Sequence, residues 1–177
     1  TLLCGAAIPD VVPEFITLET VATGNFYANP SYQGGVAPLI GSTPDITVKS
    51  GFTLTLDVNS IRTRKITIES GATLEVNGTI GHNLGFVTGE GTLKLVSNTT
   101  SVSFPAGDYQ DFFPTGACIG GGGLEYAGSG SYSILSGLSN VRRLILSGSG
   151  DRVFSNNTNV RICENLEILG SVNAIVP

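Results

Sequence analysis

The chain has 177 residues, enough for one substantial core, and its 24 glycines, 13% charged and 41% hydrophobic residues are unlike a disordered segment. A net charge of −5 and a pI near 4.7 argue against nucleic acid as a partner, because phosphate binding needs clustered Lys and Arg. No run approaches the roughly 18 apolar residues of a membrane-spanning helix, so no membrane insertion is expected, and the lack of any Met raises the expectation of a piece of a longer protein.

Residues 1–45 hold five of the eight prolines and no sustained period. Val11-Val12 and Phe15-Ile16-Thr17-Leu18 have the composition of short strands, with turn signals such as Ala28-Asn29-Pro30-Ser31 between apolar groups. The segment reads as an irregular N-terminal cap over the end of a stacked core. Its aromatics, Phe26, Tyr27 and Tyr32, would alternatively form a sugar-stacking patch.

From Ile46 the sequence nearly repeats itself at about 20 residues. ITVKSGFTLTL begins at Ile46, ITIESGATLEV at Ile66 and FVTGEGTLKLV at Phe86, with Gly51, Gly71 and Gly91 in step. Leu54 and Leu56, Leu74 and Val76, and Leu93 and Leu95 alternate with Thr55, Glu75 and Lys94, so each strand has one apolar face. A single unit cannot bury that face, whereas units stacked about 4.8 Å apart make one continuous core. The fold expected is therefore all-β, a parallel β-helix over 46–177. It is taken as right-handed from the general preference of parallel crossovers. In this register Lys49 lies beside Glu69, Glu75 beside Lys94, and Thr53, Thr73 and Thr92 form a hydroxyl column. The basic cluster Arg62, Arg64 and Lys65 reads as a solvated corner. His82, the one histidine, sits in a glycine-punctuated corner with no nucleophile nominated beside it.

Residues 104–123 interrupt the rhythm. FPAGDYQDFFPTGACIGGGG places Asp108 and Asp111 beside Tyr109, Phe112 and Phe113, and these five residues are the best ligand-binding candidates, since long excursions from a regular scaffold often carry function. The competing expectation is that Phe112 and Phe113 pack on the solenoid while the aspartates stay in water. A calcium loop is disfavoured, because two carboxylates rarely complete six oxygen ligands, and no cofactor or metal is expected. Three apparent glycosylation sequons, at Asn77, Asn98 and Asn156, matter only in a eukaryotic secretory pathway.

The rhythm resumes with Leu124, Leu144 and Leu166 in step, Tyr126, Leu146 and Ile168 two places on, and Gly128, Gly148 and Gly170 at the corners. The Gly-Ser-Gly runs lack the Lys-Ser/Thr and helix start of a phosphate loop, and read as turns. Of the three cysteines, Cys118 and Cys163 lie a little over two coils apart, about 10 Å in regular stacking, beyond the roughly 7 Å Cα limit for a disulfide. Buried thiols are the first expectation, with a Cys4–Cys118 bridge the alternative.

The stretch from Gly24, GNFYANPSYQGGVAPLIGSTPDITVKSGFTLTLDVNSIRTRKITIESGATLEVNG, resembles the opening of β-helical regions in large secreted cell-surface proteins of Bacteroidetes-type bacteria. GGGLEYAGSGSY and NVRRLILSGSGDRVFSNNTNVRICENLEILGS resemble later coils of that family, and the likeness covers most of 24–171. Tryptophan, often present in the opening segment, is absent, and Phe26 and Tyr32 stand at equivalent places. The resemblance implies export by the type IX secretion system, an extracellular or cell-surface location, and a stalk or adhesive role of the gliding-motility adhesin type. It supplies no catalytic residues. A weaker similarity, over 36–78, is to G8-type domains of eukaryotic surface proteins.

The functional expectation is a structural and adhesive rod segment whose partners are neighbouring domains of the same chain and extracellular polysaccharide or cell-surface glycans. A noncatalytic glycan-binding module using Tyr109, Phe112 and Phe113 is one alternative. A polysaccharide-active enzyme is the other, with Asp108, Asp111 and Glu125 as carboxylates and Arg142, Arg143 or Arg152 supplying charge; no catalytic residue is assigned.

Overall fold

The computed structural model describes residues 17–116, 118, 120–135, 138, 140–155 and 159–176. Among these residues fifteen strands form three sheets in which every strand pair is parallel. One sheet stacks β1 (Thr17–Glu19), β3 (Asp45–Val48), β5 (Lys65–Ile68), β7 (Asn83–Gly89) and β9 (Ala106–Asp108). A second stacks β2 (Gly24–Asn25), β4 (Thr53–Leu56), β6 (Thr73–Asn77), β8 (Thr92–Val96), β10 (Gly123–Ala127), β12 (Val141–Leu146) and β14 (Ile162–Ile168). The third holds β11 (Tyr132–Ser133), β13 (Ser149–Val153) and β15 (Ser171–Ile175). Consecutive strands lie in different sheets, so the chain winds as a β-solenoid of about 6 turns with about 21 residues per coil.

The alternation read from the sequence sets the register. Leu54, Leu74, Leu93, Leu124, Leu144 and Leu166 pair in one column, and Leu56, Val76, Leu95, Tyr126, Leu146 and Ile168 in the next. From Leu54 to Leu146 every member of both columns is buried. Each is worth about 1.5–3 kcal/mol against exposure. The outward positions between them carry the expected Lys49–Glu69 pair at 2.6 Å and Lys94–Glu75 pair at 3.2 Å, and Thr53, Thr73 and Thr92 stack as a hydroxyl column.

Corners are closed by glycine for two different reasons. Gly51 and Gly71 turn from the first sheet into the second with φ of 84° and 81°, a left-handed conformation that costs other residues about 1–2 kcal/mol. Gly128, Gly148 and Gly170 turn from the second sheet into the third, and there space is also missing. A Cβ on Gly148 would lie 2.2 Å from the carbonyl oxygen of Gly128 directly beneath it.

The solenoid starts earlier than the repeat suggested. β1 and β2 pair with β3 and β4 and so form a partial first coil inside the segment read as a cap. Thr17 pairs with Asp45 and Gly24 with Leu54, offsets of 28 and 30 residues that hide them from a 20-residue period. The surplus, including short 3-10 helices at Asn29–Ser31 and Gln33–Gly35, folds across the open edge of that coil. There Thr20 bridges Tyr32 in antiparallel sense, and the Val21 N–H donates to the Ser31 carbonyl at 2.9 Å. Phe26 and Tyr32 are buried, and the Tyr32 hydroxyl donates to the Phe26 carbonyl at 2.7 Å, so these rings close the core instead of presenting a sugar-stacking patch. The strand expected at Val11-Val12, the start of the one at Phe15, and Cys4 lie outside the described residues.

The cysteine expectation is corrected. Cys118 and Cys163 form a disulfide with a Cα–Cα distance of 5.3 Å. The 10 Å spacing assumed that both occupy coil positions, but Thr92 pairs with Gly123 across 31 residues where Leu124 pairs with Leu144 across 20. That surplus carries residues 104–123 along the solenoid axis. The Asn140 amide donates to the Pro114 and Gly116 carbonyls, and Arg161 donates to Gly116 at 3.1 Å, so the excursion spans two coil levels and delivers Cys118 to Cys163.

The two kinds of corner make a paired prediction. Gly51→Ala has nothing within 4 Å of the new Cβ and should lose only the left-handed penalty, about 1–2 kcal/mol. Gly148→Ala should lose about 3 kcal/mol or more through strain plus overpacking. Urea unfolding followed by circular dichroism measures both, and equal losses would show that the stacked-carbonyl contact is relieved at little cost.

Candidate functional site

In the excursion, the Phe112 and Phe113 N–H groups both donate to the Tyr109 carbonyl, at 3.0 and 2.7 Å, which gathers three rings into one turn. Ring centroids lie 5.1 Å apart for Phe104 and Tyr109, 5.8 Å for Tyr109 and Phe113, and 4.9 Å for Phe112 and Phe113. Phe112 and Phe113 are buried, and the Tyr109 hydroxyl donates to the Pro105 carbonyl at 3.0 Å. Burial pushes the Tyr109 hydroxyl well above its usual pKa. The glycine run now has a cause. The Gly122 N–H donates to the Phe112 carbonyl at 2.7 Å, and a Cβ on Gly122 would stand 2.0 Å from the Phe112 ring.

The expected stacking platform is therefore corrected to an aromatic plug that seals the side of the solenoid, because three rings leave water most completely by packing on one another and on the core. Asp108 and Asp111 stay exposed, and Asp108 accepts from the Gln110 N–H at 3.1 Å as the head of a turn. Glu125 stands apart from both, on β10 in the second sheet, where it accepts from the Ser147 hydroxyl at 2.6 Å and faces Lys94 at 3.9 Å.

The remaining charges of the enzyme reading are dispersed too. Lys94 lies between Glu75 and Glu125, and Arg142 lies between Glu90 at 3.1 Å and Glu164 at 2.6 Å. Arg143 reaches across Gly123 to the Thr92 hydroxyl at 3.4 Å. These contacts tie one coil level to another on the outer surface. Arg64 of the basic cluster pairs with Asp45, and Lys65 lies over the Phe86 ring at 5.9 Å from its centroid.

Arg152 is the residue whose role sequence reasoning missed. The sequence offers it with Arg142 and Arg143 as charge for a polysaccharide-active site, yet it is 0% exposed. Its Nη1 donates to the carbonyls of Gly130 at 2.5 Å and Ser149 at 3.1 Å, and its Nη2 to those of Gly128 at 3.0 Å and Ser147 at 2.9 Å. The guanidinium lies 4.3 Å from the Tyr132 ring centroid. Glycine corners turn carbonyls inward where side chains cannot cover them, and a planar five-donor group satisfies four at once. The available signal was its place in register with Tyr132, an inward aromatic.

His82 is buried beside the third face of the solenoid, 2.8 Å from the Thr79 hydroxyl. That hydroxyl donates to the Leu56 carbonyl at 2.7 Å, so the shared hydrogen belongs to His82 Nε2, and the buried Nδ1 has no partner. Burial holds the imidazole below its usual pKa, in the neutral form. Thr79 also lines a cavity of about 440 Å3, together with Ile80, Ser97, Thr99, Ser101 and Ser103. Its lining mixes aliphatic side chains with hydroxyls. Among the described residues no group of three or more His, Cys, Asp or Glu side chains is placed to hold a metal, and no helix is long and apolar enough to cross a membrane. Asn98 of the second sequon accepts from the Ser129 N–H and hydroxyl, and the sequon at Asn156 lies outside the described residues.

Compared with family models, with curated proteins and with solved structures, the chain matches none.

Arg152→Met keeps the apolar stem and strips the donors from the Gly130, Ser149, Gly128 and Ser147 carbonyls, of which Gly128 keeps the Ser149 N–H; a loss of roughly 3–5 kcal/mol in urea unfolding is expected. A loss under about 1 kcal/mol would show that the carbonyls find water. For His82, the folded-state pKa lies below the unfolded value of 6.5, so the unfolded chain takes up the proton first as pH falls. Stability is thus full above about pH 6.5 and declines below it until the folded form also protonates. His82→Asn should flatten the slope of unfolding free energy between about pH 7 and about pH 5.5, whatever its own stability. An unchanged slope would assign the pH dependence to carboxylates.

Proposed function

We propose that this chain is a structural and adhesive module of a large secreted bacterial cell-surface protein, acting as a rigid rod segment in attachment or gliding motility. The observation that carries the reading is the pair of columns stacked in register and buried from Leu54 to Leu146. A core of that form grows by stacking, and each coil adds about 4.8 Å of stiff length. The Cys118–Cys163 disulfide supports an extracellular location, since such bridges persist in oxidising compartments. The Bacteroidetes-type assignment and type IX export rest on the resemblance of the coil sequences.

A second reading, a noncatalytic glycan-binding module, is favoured by the hydroxyl-lined cavity rather than by the aromatic excursion. A lining of aliphatic side chains and hydroxyls suits a sugar ring, which has both apolar C–H and hydroxyl surface.

Both readings are tested by incubating the protein with a panel of polysaccharides and recording retention and the release of new sugar ends. The rod reading expects no new ends. Retention that Ser101→Arg abolishes would establish the glycan-binding reading at the cavity, and release of ends would overturn both. Under denaturing, non-reducing conditions one thiol in three should react with a thiol reagent. Three reactive thiols in protein isolated from its native compartment would remove the support for an oxidising location.

A further inference from the structure

The cavity beside Thr79 has a cause in the winding of the chain. Two ladder bonds bracket it: the Gly78 N–H donates to the Val96 carbonyl at 3.0 Å, and the Ala106 N–H to the His82 carbonyl at 2.9 Å. Between those bonds the lower coil takes four steps, from Gly78 to His82, and the upper coil ten, from Val96 to Ala106. The surplus leaves the ladder, and no backbone hydrogen bond joins residues 79–81 to residues 97–104. Coils stacked about 4.8 Å apart leave no room between them, whereas here about 440 Å3 opens, with its mouth where Ile80 and Ser101 are exposed. The surplus is also held in shape. The Ser97 and Thr99 hydroxyls both donate to the Ser101 carbonyl, and Asn98 Oδ1 accepts from the Ser129 N–H at 2.9 Å and hydroxyl at 3.0 Å.

We infer that this gap is a seat for one uncharged sugar ring at the end or a branch of a glycan, with Asn98, Ser101 and Ser103 setting its specificity. This deepens the glycan-binding reading and rests on it. A polymer cannot thread between the coils past either ladder bond, so a single compact unit enters from the mouth.

The hydroxyls of the lining divide into two sets. Those of Thr79, Ser97 and Thr99 are occupied, since each already donates to a carbonyl of the chain. Those of Ser101 and Ser103 have no partner among the described residues, and neither do the Val102 and Ser103 N–H groups. Because Ser129 donates to Asn98, the bonded amide atom is the oxygen, and the unpaired one is the N–H2 donor. A purely apolar ligand would bury these groups unpaired, whereas ring hydroxyls pair with them. Val76, Ile80, Val96 and Val102 offer apolar contact to ring C–H groups. No residue of the lining is charged, so a carboxylate, sulfate or ammonium on the sugar would lose hydration without a counter-charge.

The probes are the methyl glycosides of glucose, galactose and mannose, each paired with its own methyl uronoside, titrated into the isotope-labelled full chain and followed by amide NMR shifts. At least one hexoside should give saturable shifts in residues 78–80 and 97–103, and its uronoside should bind about tenfold more weakly or worse. Asn98→Asp keeps the acceptor for Ser129 and loses the N–H2, and Ser101→Ala and Ser103→Ala each remove an unpaired hydroxyl. Each variant should weaken binding about three- to tenfold, the worth of one hydrogen bond, with distant amide signals unmoved. Thr100→Ala, exposed and outside the lining, should bind as the parent does. Silence of all three hexosides overturns the inference, as do shifts confined to other residues, a uronoside that binds as tightly as its hexoside, or unaltered affinity in the three variants. If the hexosides are silent while polysaccharide retention is lost in Ser101→Arg, the single-ring seat falls and the glycan-binding reading stands. If no polysaccharide is retained either, both fall.

Discussion

Everything in this molecule depends on coil-on-coil register. A parallel ladder fixes each residue above its counterpart in the coil below, and with side chains alternating at period two a slip of one residue would turn Leu54 or Leu74 to water. The columns are strong because no coil is self-sufficient, so burial and hydrogen bonding accrue together when coils meet. One consequence is that local irregularity is absorbed outside the register. After β9 stacks on β7 the chain leaves the coil path, yet Gly123 and Leu124 re-enter in step with Thr92 and Leu93.

Stacking also makes demands that side chains must meet. Glycine at Gly128, Gly148 and Gly170 lets corners approach closely, and the Gly128 and Gly148 carbonyls accept the Ser149 and Ser171 N–H groups of the next coil, which leaves a second lone pair on each to be met. Arg152 meets that demand at the level where the third sheet begins to replace the first. A guanidinium among carbonyls and against Tyr132 is costly to desolvate, and four charge-assisted bonds offset the cost. Burial also pushes the Tyr126 and Tyr132 hydroxyls up to about 12, so both stay neutral; Tyr132 donates to the Ala127 carbonyl at 2.7 Å and Tyr126 accepts from the Leu135 N–H at 3.0 Å. The interior is thus aliphatic in the early coils and polar, but fully bonded, at this corner.

What the sequence made legible is what repeats. The 20-residue period, the inward leucines, the corner glycines and the Lys49–Glu69 and Lys94–Glu75 pairs all follow from alternation plus a fixed offset, and the structure has each of them. What stayed hidden is what breaks the offset. β1 and β2 pair across 28 and 30 residues, and Cys118 meets Cys163 because the excursion runs along the axis, which spacing arithmetic within coils could not represent. Tyr109, Phe112 and Phe113 look alike as a binding patch or as a plug, since composition does not say which side of a ring meets water. The four glycines after them were the better clue, because only a chain returning tightly over a ring needs so little side chain.

Chemistry is placed accordingly. Lys94 and Arg142 on the outer face pair across coils, the rings of the excursion are consumed by sealing, His82 is held neutral behind Thr79, and Asp108 and Asp111 stay exposed. One feature is not absorbed by holding the solenoid together, the cavity lined by Thr79, Ile80, Ser97, Thr99, Ser101 and Ser103. The cavity is local and its hydroxyls are partly bonded to one another, as Ser97 is to Thr99 and to the Ser101 carbonyl. The force that carries the fold is the same at every level, since Leu54 and Leu56 lie under Leu74 and Val76 as Leu124 and Tyr126 lie under Leu144 and Leu146, all of them buried.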